Sequence, residues 1–262
     1  MPEGLASRLA AGRDPANPPT SLGPGDAPAG LQAAYREQHR LVRLLGARDG
    51  RPVGYKIGAT SLLAQRFLGV AAPFAGQVLA GRLHRSPARL SAAAYRFRLV
   101  EPEYAFTLAR ALPARALAYT PAEVAAAVAT LHPAFEIVCS AYGEQGWQRV
   151  GGRALIADNG AHGALVLGEG RSDWQRFDLA RERVELRIDG RLEGTGDGRA
   201  ALGHPLLALA WLATELARQG RGLQAGEVVT TGVVTPFKLL AAGQRAEAQF
   251  GPFGSCQVEF TE

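Results

Sequence analysis

The chain has 262 residues, of which 47% are hydrophobic and 20% are charged, and this composition excludes a disordered, collagen-like or coiled-coil chain. Its length suits one large domain or two small ones. The net charge is +5 at pH 7, but the basic residues are scattered and form no zinc-finger or RNA-recognition motif, so we expect no nucleic-acid partner.

The first predicted elements are mainly helical. Proline and glycine are frequent in residues 1–30, which predicts an extended strap after a short helix at Glu3–Ala11. A longer helix is predicted at about Pro28–Leu45, because apolar side chains recur there with the i, i+3, i+4, i+7 spacing of one helix face. A strand is predicted at Pro52–Ile57 and a further helix at about Ser61–Leu68.

The middle of the chain changes from loop-like to strand-like sequence. Pro73, Gly76, Gly81 and Pro87 predict a long irregular connection. After it, alternating aromatic and aliphatic residues predict a strand-rich region. The predicted strands are Tyr95–Leu99, Tyr104–Phe106, Phe135–Ser140, Ala164–Leu167, Val184–Ile188, Val228–Val233, Ala246–Phe250 and Ser255–Phe260.

Two helices and a turn are predicted within the strand-rich region. Thr120 and Glu123 have the spacing of a capping box, which predicts a helix at about Pro121–Leu131. A largely buried helix is predicted at Pro205–Arg218, and Asp189-Gly190 is a turn signal between two short strands.

The order of these elements favours one fold class. Helices come first and strands dominate later, without the regular alternation of a parallel sheet, so we predict an α+β fold with a mixed or antiparallel core. We divide the chain into an N-terminal helical region, residues 1–86, with the strap and a lysine-bearing segment, and a β-rich catalytic core, residues 87–262.

No segment predicts membrane insertion or secretion. The longest apolar run, Leu206–Ala213, is far shorter than the ~20 residues that cross a bilayer. The N-terminus lacks the basic head and apolar run of a signal peptide. Cys139 and Cys256 are too few for a disulfide framework. We therefore expect a cytoplasmic protein with two reduced thiols and no membrane partner.

Three glutamates are the strongest candidates for chemistry. Glu101 and Glu103 are two residues apart in a predicted strand, so their side chains share one face. Glu136 lies in an apolar strand, where a carboxylate must be solvated, paired or metal-bound. Three carboxylates suit Mg²⁺ or Mn²⁺. The alternative is a solvent-facing pair with a separate salt-bridged Glu136.

Lys56 and the histidines are weaker signals. Lys56 lies among glycines and apolar residues, and it is one of only two lysines, since 27 of the 29 basic residues are arginines. It is either a snorkelling lysine or a functional cation. The five histidines have no i, i+4 pair, which disfavours a protease-like zinc site, and His162 and His204 are interpreted as structural.

These candidates occur in order within a larger set of motifs. The set is Gly54–Ser61 (GYKIGATS), Val100–Phe106 (VEPEYAF), Phe135–Val138 (FEIV), Ala157–Asn159 (ADN), Leu202–Pro205 (LGHP), Val229–Gly232 (VTTG) and Phe253–Ser255 (FGS). It resembles the 2-keto-4-pentenoate hydratase and 4-oxalocrotonate decarboxylase branch of the fumarylacetoacetate hydrolase superfamily, over roughly residues 31–260.

The resemblance implies a fold and a site. The fold would be a mixed β-sandwich or roll preceded by a small helical N-terminal part. Glu101, Glu103 and Glu136 match the family's metal-binding carboxylates, and Lys56 matches its active-site lysine. We expect the Lys56 ammonium to face the glutamates across a gap that admits substrate. Thr231 and Thr235 are candidates for holding the substrate carboxylate.

The implied activity is that of a metal-dependent, hydratase-like lyase. It would act on 2-hydroxy-2,4-dienoates of the 2-keto-4-pentenoate type, in aromatic or steroid catabolism, with Mg²⁺ or Mn²⁺. The protein would be a homo-oligomer, with a decarboxylase or aldolase of the same pathway as a possible partner.

Three departures from the family pattern leave alternatives open. Family members commonly carry an Asp within the segment that reads Ala72–Gly76 here, a hydroxyl residue where this chain has Ala161, and an Asp where it has Cys139. Decarboxylation of a 4-oxalocrotonate-type diacid, C–C bond hydrolysis of an acylpyruvate, and non-catalytic binding of a 2-oxo acid are therefore the alternatives to hydration.

Overall fold

A computed structural model describes residues 4–18 and 21–262. Its α-helices, in chain order, are α1 (Leu5–Arg13), α2 (Leu31–Asp49), α3 (Leu62–Leu68), α4 (Pro121–Ala125), α5 (Gly143–Gly146), α6 (Gly152–Ala157) and α7 (Pro205–Arg218). Its strands are β1 (Pro52–Gly58), β2 (Phe74–Leu79), β3 (Leu83–Arg85), β4 (Ala88–Ser91), β5 (Leu99–Leu108), β6 (Val128–Val138), β7 (His162–Leu167), β8 (Arg183–Ile188), β9 (Arg191–Asp197), β10 (Val228–Val233), β11 (Lys238–Leu239), β12 (Arg245–Phe250) and β13 (Ser255–Thr261).

The strands form two mixed sheets. The larger has eight strands in the order β2-β1-β10-β5-β6-β7-β3, with β11 pairing with β5, and the smaller has the order β4-β13-β12-β8-β9. The β1/β10, β3/β7 and β4/β13 pairs are parallel and the others are antiparallel. The predicted α+β class with a mixed sandwich is confirmed.

The main core lies between the two sheets. β12 and β13 of the smaller sheet contact β6 of the larger one. Tyr104 packs edge-to-face on Phe250 with ring centroids 5.0 Å apart, and Phe106 packs in the same way on Trp174. These buried aromatic pairs fix the face of β5 that is turned to the core, so alternate residues of β5 are turned to its opposite face.

Helix α7 covers part of the larger sheet. The segment Gly198–Arg218 has the length and mean hydropathy (21 residues, 1.3) of a membrane-spanning helix, but half of its most apolar window is buried inside the protein. α7 packs on β10 and α4, as the core helix of a globular domain does. His204 is the N-cap of α7, and its Nδ1 accepts a hydrogen bond from the Leu206 amide at 3.0 Å, so the structural interpretation of His204 agrees with its contacts.

The N-terminal helices form a second apolar cluster beside the sheet. Leu9 of α1 and Leu41 of α2 are fully buried there with residues of α6. Of the predicted Glu3–Ala11 helix, Glu3 lies outside the described residues, as does Pro19 of the predicted strap. The small helical N-terminal part that the resemblance implied is present.

The prediction of a long irregular connection around residues 73–87 is wrong, because this segment contains the buried strand β2. Gly76 was interpreted as a loop residue, but it lies inside β2. A Cβ placed there would be 2.4 Å from the Asn159 carbonyl oxygen. The glycine therefore permits close approach of another backbone, a role that glycine commonly has inside strands.

Two other predicted elements differ from the structure. The helix predicted at about Pro121–Leu131 ends at Ala125, and β6 begins at Val128. The capping box is present, but pairing of β6 along β5 prevails over the local helix signal. The strand predicted at Tyr95–Leu99 begins only at Leu99, and a 3₁₀ turn at residues 92–94 precedes the irregular segment 95–98.

The larger sheet runs across the predicted domain boundary at residue 86. β1, β2 and β3 precede the boundary, and β5, β6, β7 and β10 follow it. Lys56 on β1 is therefore in the same sheet as the glutamates of β5 and β6. The division into residues 1–86 and 87–262 stays a prediction.

Candidate metal centre and active site

The register of the central strands brings the three glutamates together. Glu101 on β5 lies directly opposite Glu136 on β6. Glu103, two residues along β5, shares the face of Glu101. Carboxylate oxygens of the three residues all lie within 4.8 Å of one another, with Glu103 and Glu136 buried and Glu101 partly exposed. Three carboxylates at this separation can hold one hard divalent cation.

Glu103 is held by β10. Its Oε2 accepts a hydrogen bond from the Thr230 hydroxyl and another, at 2.7 Å, from the Gly232 amide. Gly232 has φ +101°, and a Cβ placed there would lie 2.2 Å from the Thr60 hydroxyl oxygen, so glycine is required at this position. Glu103 Oε1 has no hydrogen-bond partner among the described residues.

Glu136 is held between a histidine and a lysine. His162 Nδ1 lies 2.9 Å from Glu136 Oε1, and Lys56 Nζ lies 3.1 Å from Glu136 Oε2. Burial is the main cause that lowers the pKa of His162, so we assign a neutral imidazole whose Nδ1–H donates to Glu136. All three side chains are almost completely buried.

The Lys56 ammonium touches a glutamate directly, which differs from the predicted gap. Besides the ion pair with Glu136, Nζ donates a hydrogen bond of 3.0 Å to the Gly160 carbonyl. The physical reason is that a buried ammonium and a buried carboxylate attract strongly and have little water to solvate them. Lys56 and Glu101 both line a cavity, so the open space lies beside the ion pair and not between its members.

The charges in this cluster shift one another's ionisation. Burial and then the charge of Glu136 raise the pKa of Glu101 to about 7, and burial with both neighbouring carboxylates raises the pKa of Glu103 further. Burial would also raise the pKa of Glu136, but Lys56 and His162 outweigh that effect and lower it. One ammonium therefore does not suffice to keep all three carboxyls ionised, and a bound cation would compete with protons for Glu101 and Glu103.

A left-handed loop supports Lys56 from behind. Asn159, Gly160 and Ala161 all have positive φ angles, between 52° and 65°. The Asn159 side-chain oxygen accepts a hydrogen bond from the backbone amide of Gln77 at 2.7 Å, and its side-chain nitrogen donates to the backbone carbonyl of Gln77 at 2.8 Å. These two bonds hold the loop on β2. This anchoring aims the Gly160 carbonyl at Lys56.

The N-terminal region reaches the same loop. Arg13 at the end of α1 is buried, and its guanidinium makes three hydrogen bonds. Nε donates to Asp158 Oδ1 at 2.6 Å, Nη1 to the His162 carbonyl at 2.7 Å, and Nη2 to the Asp158 carbonyl. Ser140 Oγ donates to Asp158 Oδ2 at 2.6 Å. α1 is thereby tied to the residues on both sides of the left-handed loop.

A cavity of about 830 Å³ opens onto Lys56 and Glu101. Most of its lining is apolar, and α3 and the segment 232–237 contribute much of it. Phe74 belongs to the segment in which family members commonly carry an Asp, and its ring lies 5.9 Å from Lys56 Nζ. Ala161 also lines this cavity, whereas Cys139 lines a separate cavity of about 20 Å³ beside His162.

The two predicted substrate-binding threonines lie in different places. Thr235 lines the cavity, and its hydroxyl donates to the Pro236 carbonyl at 3.1 Å. Thr231 is fully buried and donates to the Tyr104 carbonyl at 3.0 Å. Successive side chains of a strand point to opposite faces, and it is Thr230, which sequence reasoning missed, that faces the glutamates.

His162 was also missed, because the sequence interpretation assigned it a structural role only. Its contact with Glu136 depends on pairing between β6 and β7, which no local pattern reveals. A signal was available in its position at the start of an apolar strand, directly after the Ala157–Asn159 motif. A histidine behind a candidate metal ligand orients that ligand.

Comparisons with known proteins agree with this geometry. No family model matches the chain. It is 33% identical over 236 residues to 2-hydroxyhexa-2,4-dienoate hydratase from Comamonas testosteroni, covering 88% of this chain and 87% of that protein. It is 32% identical over 259 residues to 2-keto-4-pentenoate hydratase 2 from Dechloromonas aromatica strain RCB, covering 99% and 97%.

Solved structures share the fold. 4-Oxalocrotonate decarboxylase from Pseudomonas putida G7, complexed with magnesium and adipate, matches with a TM-score of 0.81 and 25% identity, covering 88% of this chain and 86% of that one. Fumarylpyruvate hydrolase from Pseudomonas aeruginosa matches in fold, with a TM-score of 0.61 and 13% identity over 80% and 89% of the two chains. The chain is therefore a lyase-type enzyme that belongs to the 2-keto-4-pentenoate hydratase and 4-oxalocrotonate decarboxylase branch of the fumarylacetoacetate hydrolase superfamily.

Proposed function

We propose that the enzyme hydrates 2-hydroxy-2,4-dienoates of the 2-keto-4-pentenoate type, in aromatic or steroid breakdown, with Mg²⁺ or Mn²⁺ as its cofactor. The observation that carries the proposal is the convergence of Glu101, Glu103 and Glu136 beside Lys56 at the edge of a cavity. The names of relatives at 32–33% identity support hydration.

The residues present fit a divalent metal. Glu103 Oε1 is buried and is unpartnered among the described side chains, and an unpaired buried carboxylate oxygen is costly unless a cation or proton meets it. The donor set is all oxygen, which hard cations prefer. Glu101, Glu103 and Glu136 would hold the ion, which when bound would polarise the 2-oxygen of the substrate and stabilise negative charge there.

Lys56 is proposed as the catalytic residue. Its pKa is raised, because the attraction of Glu136, Glu101 and Glu103 outweighs the opposing effect of burial, so it carries a proton at neutral pH. At the cavity wall, this ammonium can offset the charge of the substrate carboxylate or supply a proton to the carbon chain. The Gly160 carbonyl holds Nζ in place for either task.

Thr235 is proposed to contact the substrate carboxylate, because it lies at the cavity surface. Thr231 has a different proposed task, since its hydroxyl is directed to the Tyr104 carbonyl. It holds β10 against β5 and thereby helps to place Thr230 and Gly232 on Glu103.

Decarboxylation of a 4-oxalocrotonate-type diacid is the second candidate. It is favoured by the likeness to the solved 4-oxalocrotonate decarboxylase. Loss of CO₂ and ketonisation of a dienol both place negative charge on the 2-oxygen, so the glutamates and Lys56 alone suit either reaction. The two differ in whether the cavity must receive a second carboxylate.

The test is turnover of purified protein. 2-Hydroxypenta-2,4-dienoate and the 4-oxalocrotonate diacid are each supplied with Mg²⁺, with Mn²⁺ or with a chelator, and product is followed by absorbance and by mass. Metal-dependent addition of water to the pentadienoate supports the proposal. Release of CO₂ from the diacid without hydration supports the second candidate, and metal-dependent binding without turnover supports a non-catalytic binder.

The setting of the enzyme is also a proposal. Both cysteines are free thiols, which supports a cytoplasmic protein. Leu31 and Leu44 of α2 are 54% and 48% exposed, and exposed large apolar side chains support a homo-oligomer. We propose residues 87–262 as the catalytic core, with the N-terminal region, residues 1–86, supplying Lys56.

A further inference from the structure

The cavity combines a charged end with a large apolar lining. Lys56 and Glu101 mark the charged end. Leu63 and Phe67 of α3, with Trp147 and Phe237, form what we call the tail wall, and all four line the cavity. Trp147 and Phe237 pack edge-to-face with ring centroids 6.2 Å apart.

The charges that line the cavity are few. Among the described residues, Lys56 is the only lysine or arginine in the lining, and Asp197 is the only acid besides Glu101. Asp197 is already paired, since Arg199 Nε and Nη2 lie 3.0 and 2.5 Å from its two oxygens. The remaining polar lining is uncharged and includes Thr60, Gln148 and Thr195. A second substrate carboxylate would therefore meet no available cation in the described part of the chain.

The cavity is also much larger than the smallest family substrate requires. 2-Hydroxypenta-2,4-dienoate has eight non-hydrogen atoms. At roughly 30 Å³ for each, the volume of a water molecule in the liquid, they fill less than a third of about 830 Å³. The rest of the space lies against side chains that favour hydrocarbon.

From these three observations we infer that the physiological substrate is a 2-hydroxy-2,4-dienoate with an uncharged apolar substituent of several carbons at the end remote from the carboxylate. The inference rests on the proposed function, since it places the carboxylate and 2-oxygen at the charged end. Leu63 and Phe67 are then specificity-determining residues. The substituent lies along the tail wall, and diacids are disfavoured because the described lining offers an apolar surface and no free cation to a second carboxylate.

The expected preference follows from hydrocarbon burial. Each methylene removed from water adds about fourfold to binding or to kcat/KM. An alkyl chain of three further carbons is thus expected to gain about ten- to sixtyfold. A diacid of similar length is expected to have a lower kcat/KM by about the same factor, because its second carboxylate gains no hydrocarbon burial and meets no free cation in the described lining.

The experiment compares kcat/KM for 2-hydroxypenta-2,4-dienoate, 2-hydroxyocta-2,4-dienoate and 2-hydroxyhexa-2,4-dienedioate with Mg²⁺. Binding of 2-oxopentanoate, 2-oxooctanoate and 2-oxohexanedioate is measured in parallel by calorimetry and by tryptophan fluorescence, to which Trp147 contributes. Octadienoate and 2-oxooctanoate should be preferred. Equal values across the alkyl series, or preference for the diacids, would overturn the inference.

A pair of variants tests the tail wall itself. Phe67→Arg places a cation in the lining and should raise the diacid's kcat/KM about ten- to a hundredfold, while lowering that of octadienoate. Leu62→Arg is the matched control, because Leu62 lies on the same helix and is 72% exposed but is outside the described lining. It should change neither value.

Two outcomes separate this inference from the proposed function. If no dienoate turns over, the proposed function fails, and the 2-oxo acid series still decides whether the tail wall selects apolar chains. The second outcome is that Phe67→Arg and Leu62→Arg both alter the oligomeric mass while neither changes the preference between octadienoate and diacid. In that case this face of α3 contacts a second copy of the chain, and the inference is wrong.

Discussion

Lys56 Nζ lies 3.1 Å from Glu136 Oε2, although their strands, β1 and β6, are separated in the sheet by β10 and β5. Both side chains are almost completely buried. The ion pair therefore reaches across two strands of the larger sheet, and it connects the predicted catalytic lysine to one of the predicted metal ligands. Its removal should affect stability as well as activity.

Lys56→Met is expected to separate those two effects. The methionine keeps most of the apolar stem but leaves Glu136 without its cation, and breaking a buried pair costs about 3–5 kcal/mol of unfolding free energy. Thermal unfolding of metal-free protein should show this loss, and Mg²⁺ should recover more of it in the variant than in the wild type.

The activity of Lys56→Met should fall even where Mg²⁺ restores stability. Loss of one charge-assisted contact lowers kcat/KM about ten- to a hundredfold, and a role in proton transfer adds roughly 10²–10⁴-fold. Unchanged turnover of 2-hydroxypenta-2,4-dienoate in the folded variant would refute a catalytic role for Lys56.

Metal affinity should weaken as pH falls. Burial and Glu136 raise the pKa of Glu101 to about 7 in the metal-free protein, so below that pH the ion must displace a proton. Affinity should fall by about tenfold for each pH unit and each displaced proton between about pH 7 and pH 6. Calorimetry in buffers of different ionisation enthalpy reports the protons released, and an affinity that does not change over this range would contradict the assignment of Glu101 as a ligand.

Arg13→Met should destabilise the protein through the loop behind Lys56. Arg13 pairs with Asp158 at 2.6 Å and both side chains are buried, so losing the guanidinium costs about 3–5 kcal/mol. Arg8→Met on the same helix is the control, because Arg8 and Asp26 are 33% and 22% exposed and such a pair contributes about 1 kcal/mol or less. Equal denaturant midpoints for the two variants would show that Arg13 has no special role.

Gly232→Ala should weaken metal binding and stability together. The new Cβ would lie 2.2 Å from the Thr60 hydroxyl oxygen, and the resulting shift would move the Gly232 amide from Glu103. Gly243 has φ +81° with nothing within 4 Å of a Cβ among the described residues, so Gly243→Ala has only the backbone penalty of about 1–2 kcal/mol. Comparable metal affinity in both alanine variants would argue against the cradle on Glu103.

Local patterns predicted much of the fold. The helix Pro205–Arg218 and the strand Val228–Val233 have the bounds that were predicted, because a long apolar run and a short β-branched run each favour one structure. The Asp189-Gly190 turn is present between β8 and β9, with both residues at positive φ. The shared face of Glu101 and Glu103 likewise follows from a two-residue spacing.

Contacts between distant strands could not be predicted from local patterns. Glu136 lies opposite Glu101 only because β6 pairs with β5 in one register. Local patterns left a separate, salt-bridged Glu136 open, and the resemblance decided for the shared site. His162 and Thr230 reach the glutamates through β7 and β10 in the same way. β2 was missed because Gly76, which packs against the Asn159 backbone, has the same local signal as a loop glycine.

A crystal structure grown with Mg²⁺ and oxalate, which mimics an enolised 2-oxo acid, tests the central claim most directly. We predict one ion bound by oxygens of Glu101, Glu103 and Glu136 at about 2.0–2.2 Å, with oxalate on the cavity side next to Lys56. An ion at another position, or one of the three carboxylates directed away from it, would contradict the account.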